Sequence, residues 1–189
     1  MKTKSLFKTG LMTATVLLFA ITSCKKDKDD PSQPQPITNE EEVITTCKIT
    51  FTDASGVQPE VTYQFRDPDG DGGNPPAVFD TIRLASMTTY HAQIILLDES
   101  SMPIDTISNE VLEEADEHLF CFEAQTADVT IARTDSDGTY EIGLQSTWTT
   151  GNNSEGFVNV SLKHQPGVKD GTCAPGDTDI EILFPVVVE

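Results

Sequence analysis

The chain has 189 residues, 31 Asp plus Glu against 12 Lys plus Arg, and a formal net charge of −19. With 37% hydrophobic residues, nine Phe and one Trp, it holds enough apolar material for one core of ordinary domain size, which excludes collagen-like, coiled-coil and wholly disordered classes. The acidity argues against nucleic acid as a partner, because phosphate is repelled without a local basic patch and the sequence offers none.

The chain begins as an export signal. Lys2, Lys4 and Lys8 form a positive start, and Leu11 to Ile21 an apolar run too short to span a bilayer comfortably. Ile21-Thr22-Ser23-Cys24 then resembles the bacterial lipobox, which implies cleavage after residue 23 and acylation of Cys24. Residues 24–42 follow as a leash: Lys25-Lys26-Asp27-Lys28-Asp29-Asp30, a Pro/Gln stretch to Pro36, and Glu40-Glu41-Glu42. Such a charged, extended spacer suits a domain held off a membrane, and two or three acyl chains make that attachment close to permanent. Lys followed by acids directly after the anchor Cys also resembles the surface-export signal of Bacteroidota lipoproteins, which implies the outer leaflet of the outer membrane. Loss of residues 1–23 removes three lysines and no acid, taking the net charge to −22.

The domain is expected over 43–189, where a two-residue period dominates. Val43, Thr45, Cys47, Ile49 and Phe51 share a face, as do Val61, Tyr63 and Phe65. Tyr90, Ala92, Ile94 and Leu96 form a third row, and apolar Ile95 and Leu97 opposite them mark a central strand. Leu119 and Cys121 alternate with Phe120 and Phe122; Val129 and Ile131 follow. Tyr140, Ile142, Leu144 and Trp148 form the next row, then Val158, Val160 and Leu162, then Ile180, Ile182, Phe184, Val186 and Val188. Gly, Asp, Asn and Pro clusters separate these runs, and Asp135-Ser136-Asp137-Gly138 reads as a hairpin turn. About eight or nine short strands at regular spacing predict an all-β fold, a single β-sandwich of immunoglobulin-like or related Greek-key type. One segment breaks the period: Asn109–His118 predicts a short acidic helix, with Ser108 as N-cap and Ile107 stapled to Leu112.

Asp67-Pro68-Asp69-Gly70-Asp71-Gly72-Gly73 matches the first half of a calcium loop, making Asp67, Asp69 and Asp71 candidate Ca2+ ligands. The twelfth position, which needs a bidentate acid, is Val78, and the nearest later acid is Asp80, so a solvated acidic loop is the alternative. With Cys24 assigned to the lipid, three cysteines remain and at most one internal disulfide can form. Cys121 with Cys173 is the expected pair, tying a strand to the long Pro166–Asp179 loop; Cys47 suits a buried thiol. His91, His118 and His164 are far apart in sequence, and His91 is expected to face solvent. Trp148 and Tyr140 share a face that serves either as a sugar-stacking platform or, for Trp148, as a core plug. No nucleophile elbow, His-Glu-x-x-His or phosphate-cradling loop is present, which points away from an enzyme.

Glu41-Glu42-Val43-Ile44-Thr45-Thr46, Phe65 through Gly73, Asp116-Glu117-His118, Lys163 through Gly171 and Gly176-Asp177-Thr178-Asp179 together resemble a group of uncharacterised Bacteroidota lipoproteins. The resemblance spans nearly the whole chain after Cys24. Some members are described as type 1 periplasmic binding fold superfamily proteins. That fold alternates strands with long helices over two lobes, and this chain has too few residues and one helical segment. The resemblance implies an address, the lipid-anchored envelope, and no catalytic residue. The expected role is a binding or structural module contacting a glycan, a protein partner or an envelope complex. The alternative is a calcium-stabilised accessory domain, and the last is a small envelope hydrolase.

Overall fold

The computed structural model describes residues 42–70, 72–100 and 102–189. The segments expected to be export signal and leash up to residue 41, with Cys24, and Asp71 lie outside the described residues.

The domain is an all-β sandwich of two packed sheets with one short helix. The elements in chain order are β1 (Thr46–Asp53), β2 (Val61–Arg66), β3 (Val78–Phe79), β4 (Ile82–Leu84), β5 (Thr89–Leu97), α1 (Ile107–Glu113), β6 (His118–Gln125), β7 (Val129–Arg133), β8 (Gln145–Thr150), β9 (Ser154–His164) and β10 (Asp177–Val188). One sheet runs β3-β2-β1-β5-β8-β7 and the other β4-β10-β9-β6. Every neighbouring pair is antiparallel except β10 with β4.

The alternating rows supply the core. Cys47, Ile49, Phe51, Tyr90, Ala92, Ile94, Leu96 and Trp148 point inward from the first sheet; Phe120, Val158, Val160, Leu162, Ile182, Phe184, Val186 and Val188 meet them from the second. Trp148 is fully buried, edge-on to Phe51 with ring centroids 5.0 Å apart, and its Nε1 donates to Ser146 Oγ at 3.0 Å. It is therefore the core plug and not a stacking platform. Tyr140, its supposed partner, lies at the surface.

Three expectations need correction. Tyr140, Ile142 and Leu144 do not extend β8, which begins at Gln145. Residues 135–144 instead fold as a broad loop that meets the outer edge of β6 at Ile142, where Phe120 N–H donates to Ile142 O and Arg133 Nε donates to Phe120 O, and reaches β5 at Leu144, whose carbonyl accepts from Ile94 N–H at 2.8 Å. Covering that edge blocks pairing with another chain. Within this loop Gly138 has φ 98° and Gly143 φ 95°, and a Cβ at Gly143 would press on Phe120. The helix runs Ile107–Glu113 rather than Asn109–His118, and its N-cap is Thr106. Ser108 Oγ is engaged elsewhere, accepting from Leu96 N–H at 2.7 Å, so it cannot cap. Leu112 is 59% exposed and makes no staple; Ile107 and Val111 form the buried face. Val43 is exposed, and β1 starts three residues later. His91 faces solvent from β5.

The Asp53 carboxylate closes the β1–β2 turn. It accepts the N–H groups of Gln58, Ser55 and Val57 and the Ser55 hydroxyl. These bonds, led by that of Gln58, hold its pKa at about 2 against an ordinary 3.8. The folded form stays ionised where the unfolded chain already takes up a proton, so this contribution is complete above about pH 4 and lost as pH falls through about 2. Asp53→Asn is expected to be less stable than the parent at pH 6, and the gap in urea midpoint should narrow steadily towards pH 2. A gap that does not change with pH would show that the carboxylate charge is not what closes the turn.

Candidate functional site

The inward rows of the second sheet end in polar residues at one end of the sandwich. His118 continues the row of Phe120 and Phe122 on β6, and His164 continues that of Val158, Val160 and Leu162 on β9. The register pairs His118 directly with His164. Directly opposed residues hold their Cβ atoms about 5 Å apart, and the two imidazoles stack with centroids 4.6 Å apart and planes 5° from parallel.

The third strand contributes through an irregularity. In β10 the pairing with β9 shifts between Thr178 and Ile180, so Asp179 is the extra residue. A bulge of this kind re-aims a side chain. Asp179 Oδ2 lies 3.9 Å from His118 Nε2. The end of α1 and the turn after it supply two more carboxylates. Glu114 is the C-cap residue of α1, and Glu117 Oε2 stands 3.5 Å from His164 Nε2. One ligating atom each from Glu114, His118 and His164 lies within 4.8 Å of the others.

Both rings are removed from water, His118 entirely and His164 to 5% exposure. His118 Nδ1 faces Glu114 O at 3.1 Å, so with the proton on Nδ1 the Nε2 lone pair points into the cluster. His118 Nε2 and both nitrogens of His164 have no hydrogen-bond partner. Burial, with the neighbouring His164 and Lys169 adding to it, pushes the His118 pKa down to about 4 and keeps that ring neutral. Lys169 is committed to Ala115 O at 2.6 Å and Asp137 Oδ2 at 2.8 Å.

An open cleft of about 440 Å3 reaches this end of the sheet, with Glu42, Asp67, Asp179 and Glu181 among its walls. Burial, and then the charges of Glu110, Asp179 and Glu114, raise the Glu42 carboxyl to about 7. Burial first, and then the neighbouring carboxylates, disfavour the charged form of Glu42.

The acidic loop is divided in its roles. Asp67 is buried on the cleft wall, and its Oδ1 has no hydrogen-bond partner. Asp69 Oδ2 accepts from Asn74 N–H at 2.8 Å and Asn74 Nδ2 at 2.7 Å, bonds that lower its pKa and fix the turn. Asp71, the third candidate Ca2+ ligand, lies outside the described residues.

Cys121 and Cys173 form a disulfide, which pins the 166–176 loop over the outer face of β6. On that face Leu119 and Cys121 are buried, as is the inward-facing Phe120. Gln165, fully buried, ties the same loop by donating to Thr172 O and Pro175 O. Cys47 is a free, buried thiol whose pKa burial raises to about 12, leaving it unreactive.

Sequence reasoning missed the histidine pair because it placed His118 in a helix. The signal was present: one more step along each apolar row reaches His118 and His164. Compared with known proteins, the chain matches no family model, no curated protein and no solved structure.

Proposed function

We propose that this chain is a lipid-anchored module of the cell envelope, held by Cys24 at the outer membrane and facing the cell surface, and that it works by binding or structural contact rather than by catalysis. The observation that carries this reading is the order of parts: a basic start, a short apolar run, Ile21-Thr22-Ser23-Cys24, a charged and Pro-rich leash, then a segment with strand periodicity. The resemblance to Bacteroidota lipoproteins supports the same address. Among the described residues no helix is long and apolar enough to cross a membrane.

The burial of Trp148 removes the aromatic platform on which glycan stacking would rest. The acidic end cleft is the better contact point, and a protein or envelope complex carrying a cationic group is the better partner. The second reading, a calcium-stabilised accessory domain, is favoured by Asp67 alone, whose buried Oδ1 lacks a donor beside that cleft.

Cys24→Ser is expected to move the protein from the membrane fraction to the soluble fraction and to abolish palmitate incorporation, with the domain still folded. A Cys24→Ser protein that stays in the membrane fraction would overturn the anchor.

A further inference from the structure

We propose that His118, His164 and Glu114, with Asp179 standing beside His118, form a binding site for a divalent first-row transition ion of the zinc class. The inference concerns the end of the sandwich and stands whether or not the chain is lipid-anchored.

The first support is geometric. Three backbone features converge there independently: the direct register of His118 with His164, the displaced register of β10 at Asp179, and the end of α1 at Glu114. Ligand atoms in a tetrahedral shell with bonds of about 2.0–2.1 Å stand about 3.4 Å apart. The atoms of Glu114, His118 and His164 already lie within 4.8 Å of one another; because the rings stack nearly parallel, one imidazole must turn out of the stack to aim both lone pairs at a single ion.

The second support is the state of the imidazoles. A buried ring nitrogen without a partner costs free energy. His118 Nε2 and both His164 nitrogens have no hydrogen-bond partner, in side chains nine-tenths or more buried. A metal ion satisfies a lone pair in that position. The remaining contacts resemble the outer shell that such sites need. Glu114 O holds His118 through Nδ1, and Glu117 stands against His164.

Ligand chemistry selects the ion. Calcium takes six to eight oxygens, whereas two imidazoles with carboxylates suit zinc and its neighbours. Imidazole ligates as the neutral ring and carboxylate as the anion, so the Glu114 carboxylate with Asp179 nearby offsets a divalent charge. The cleft with Asp67 and Glu181 on its walls adjoins Asp179 and favours the approach of a cation.

The test uses the full chain, purified and stripped with a chelator, then titrated with Zn2+ by calorimetry and with Co2+ by visible absorption. One equivalent of Zn2+ is expected at micromolar affinity or tighter, with ligand-field bands on adding Co2+. His164→Gln should weaken Zn2+ binding about 100-fold or more, since even an outer-shell change costs 10- to 100-fold. Glu114 is exposed, so Glu114→Gln keeps the fold and should weaken binding at least ~10-fold. Asp69→Asn, whose carboxylate belongs to a separate turn, should bind as the parent does. No stoichiometric Zn2+ binding, parental affinity in folded Glu114→Gln, or tighter binding of Ca2+ than of Zn2+ would each overturn the site.

Discussion

Replacing both Cys121 and Cys173 by serine is expected to destabilise the domain by about 4 kcal/mol, lowering the thermal midpoint by about 8–16 °C. The two cysteines are 52 residues apart. Cross-linking so long a loop removes much chain entropy from the unfolded state. The native state also loses the clamp that ties the 166–176 loop to β6. Differential scanning of the parent and the double variant, both without reductant, measures the effect. A shift under about 2 °C would mean that Gln165 and Lys169 hold the loop unaided.

Trp148→Ala is expected to cost about 3–5 kcal/mol, the range for deleting a large, fully enclosed ring. The indole fills the centre of the sandwich between Phe51 and Phe122. Its loss leaves a cavity that two hydrogen-bonded sheets cannot close by collapsing. Trp148→Phe keeps part of the volume but strands Ser146 Oγ without its indole donor, for a smaller loss of about 1–2 kcal/mol. Urea unfolding with an unchanged slope would report both values as stability changes. Equal costs for the two variants would mean that volume is not what the position supplies.

Much of the fold was legible because its strands are half-buried and alternate. The rows from Cys47 to Phe51 and from Ile180 to Val188 announce their inward faces residue by residue. Val78–Phe79 and Ile82–Leu84 escaped because two or three residues are too few to show a period. The row from Tyr140 to Trp148 misleads because Ile142 is buried against the β6 edge and Leu144 beside β5, and burial on alternate residues imitates a strand. Ser108 misled the helix boundary because its hydroxyl serves Leu96 of a neighbouring strand, a tertiary contact that local propensity does not reveal.

The site was less legible than the fold. Its residues come from α1's end, β6, β9 and β10, and only strand register brings them together. Asp179 enters through a bulge, which no pattern of apolar residues announces. The acidic loop drew attention to carboxylates in the right part of the molecule, since Asp67 lines the cleft that leads to Asp179. The imidazoles behind them were hidden by their separation in sequence.

X-ray absorption at the zinc edge, recorded on the Zn2+-loaded full chain, tests the metal site most directly. The structure leads to a first shell of about four light ligands at about 2.0–2.1 Å, with the outer scattering of two imidazole rings that disappears in part in His164→Gln. A shell of oxygens alone, or imidazole scattering unchanged by His164→Gln, would contradict it.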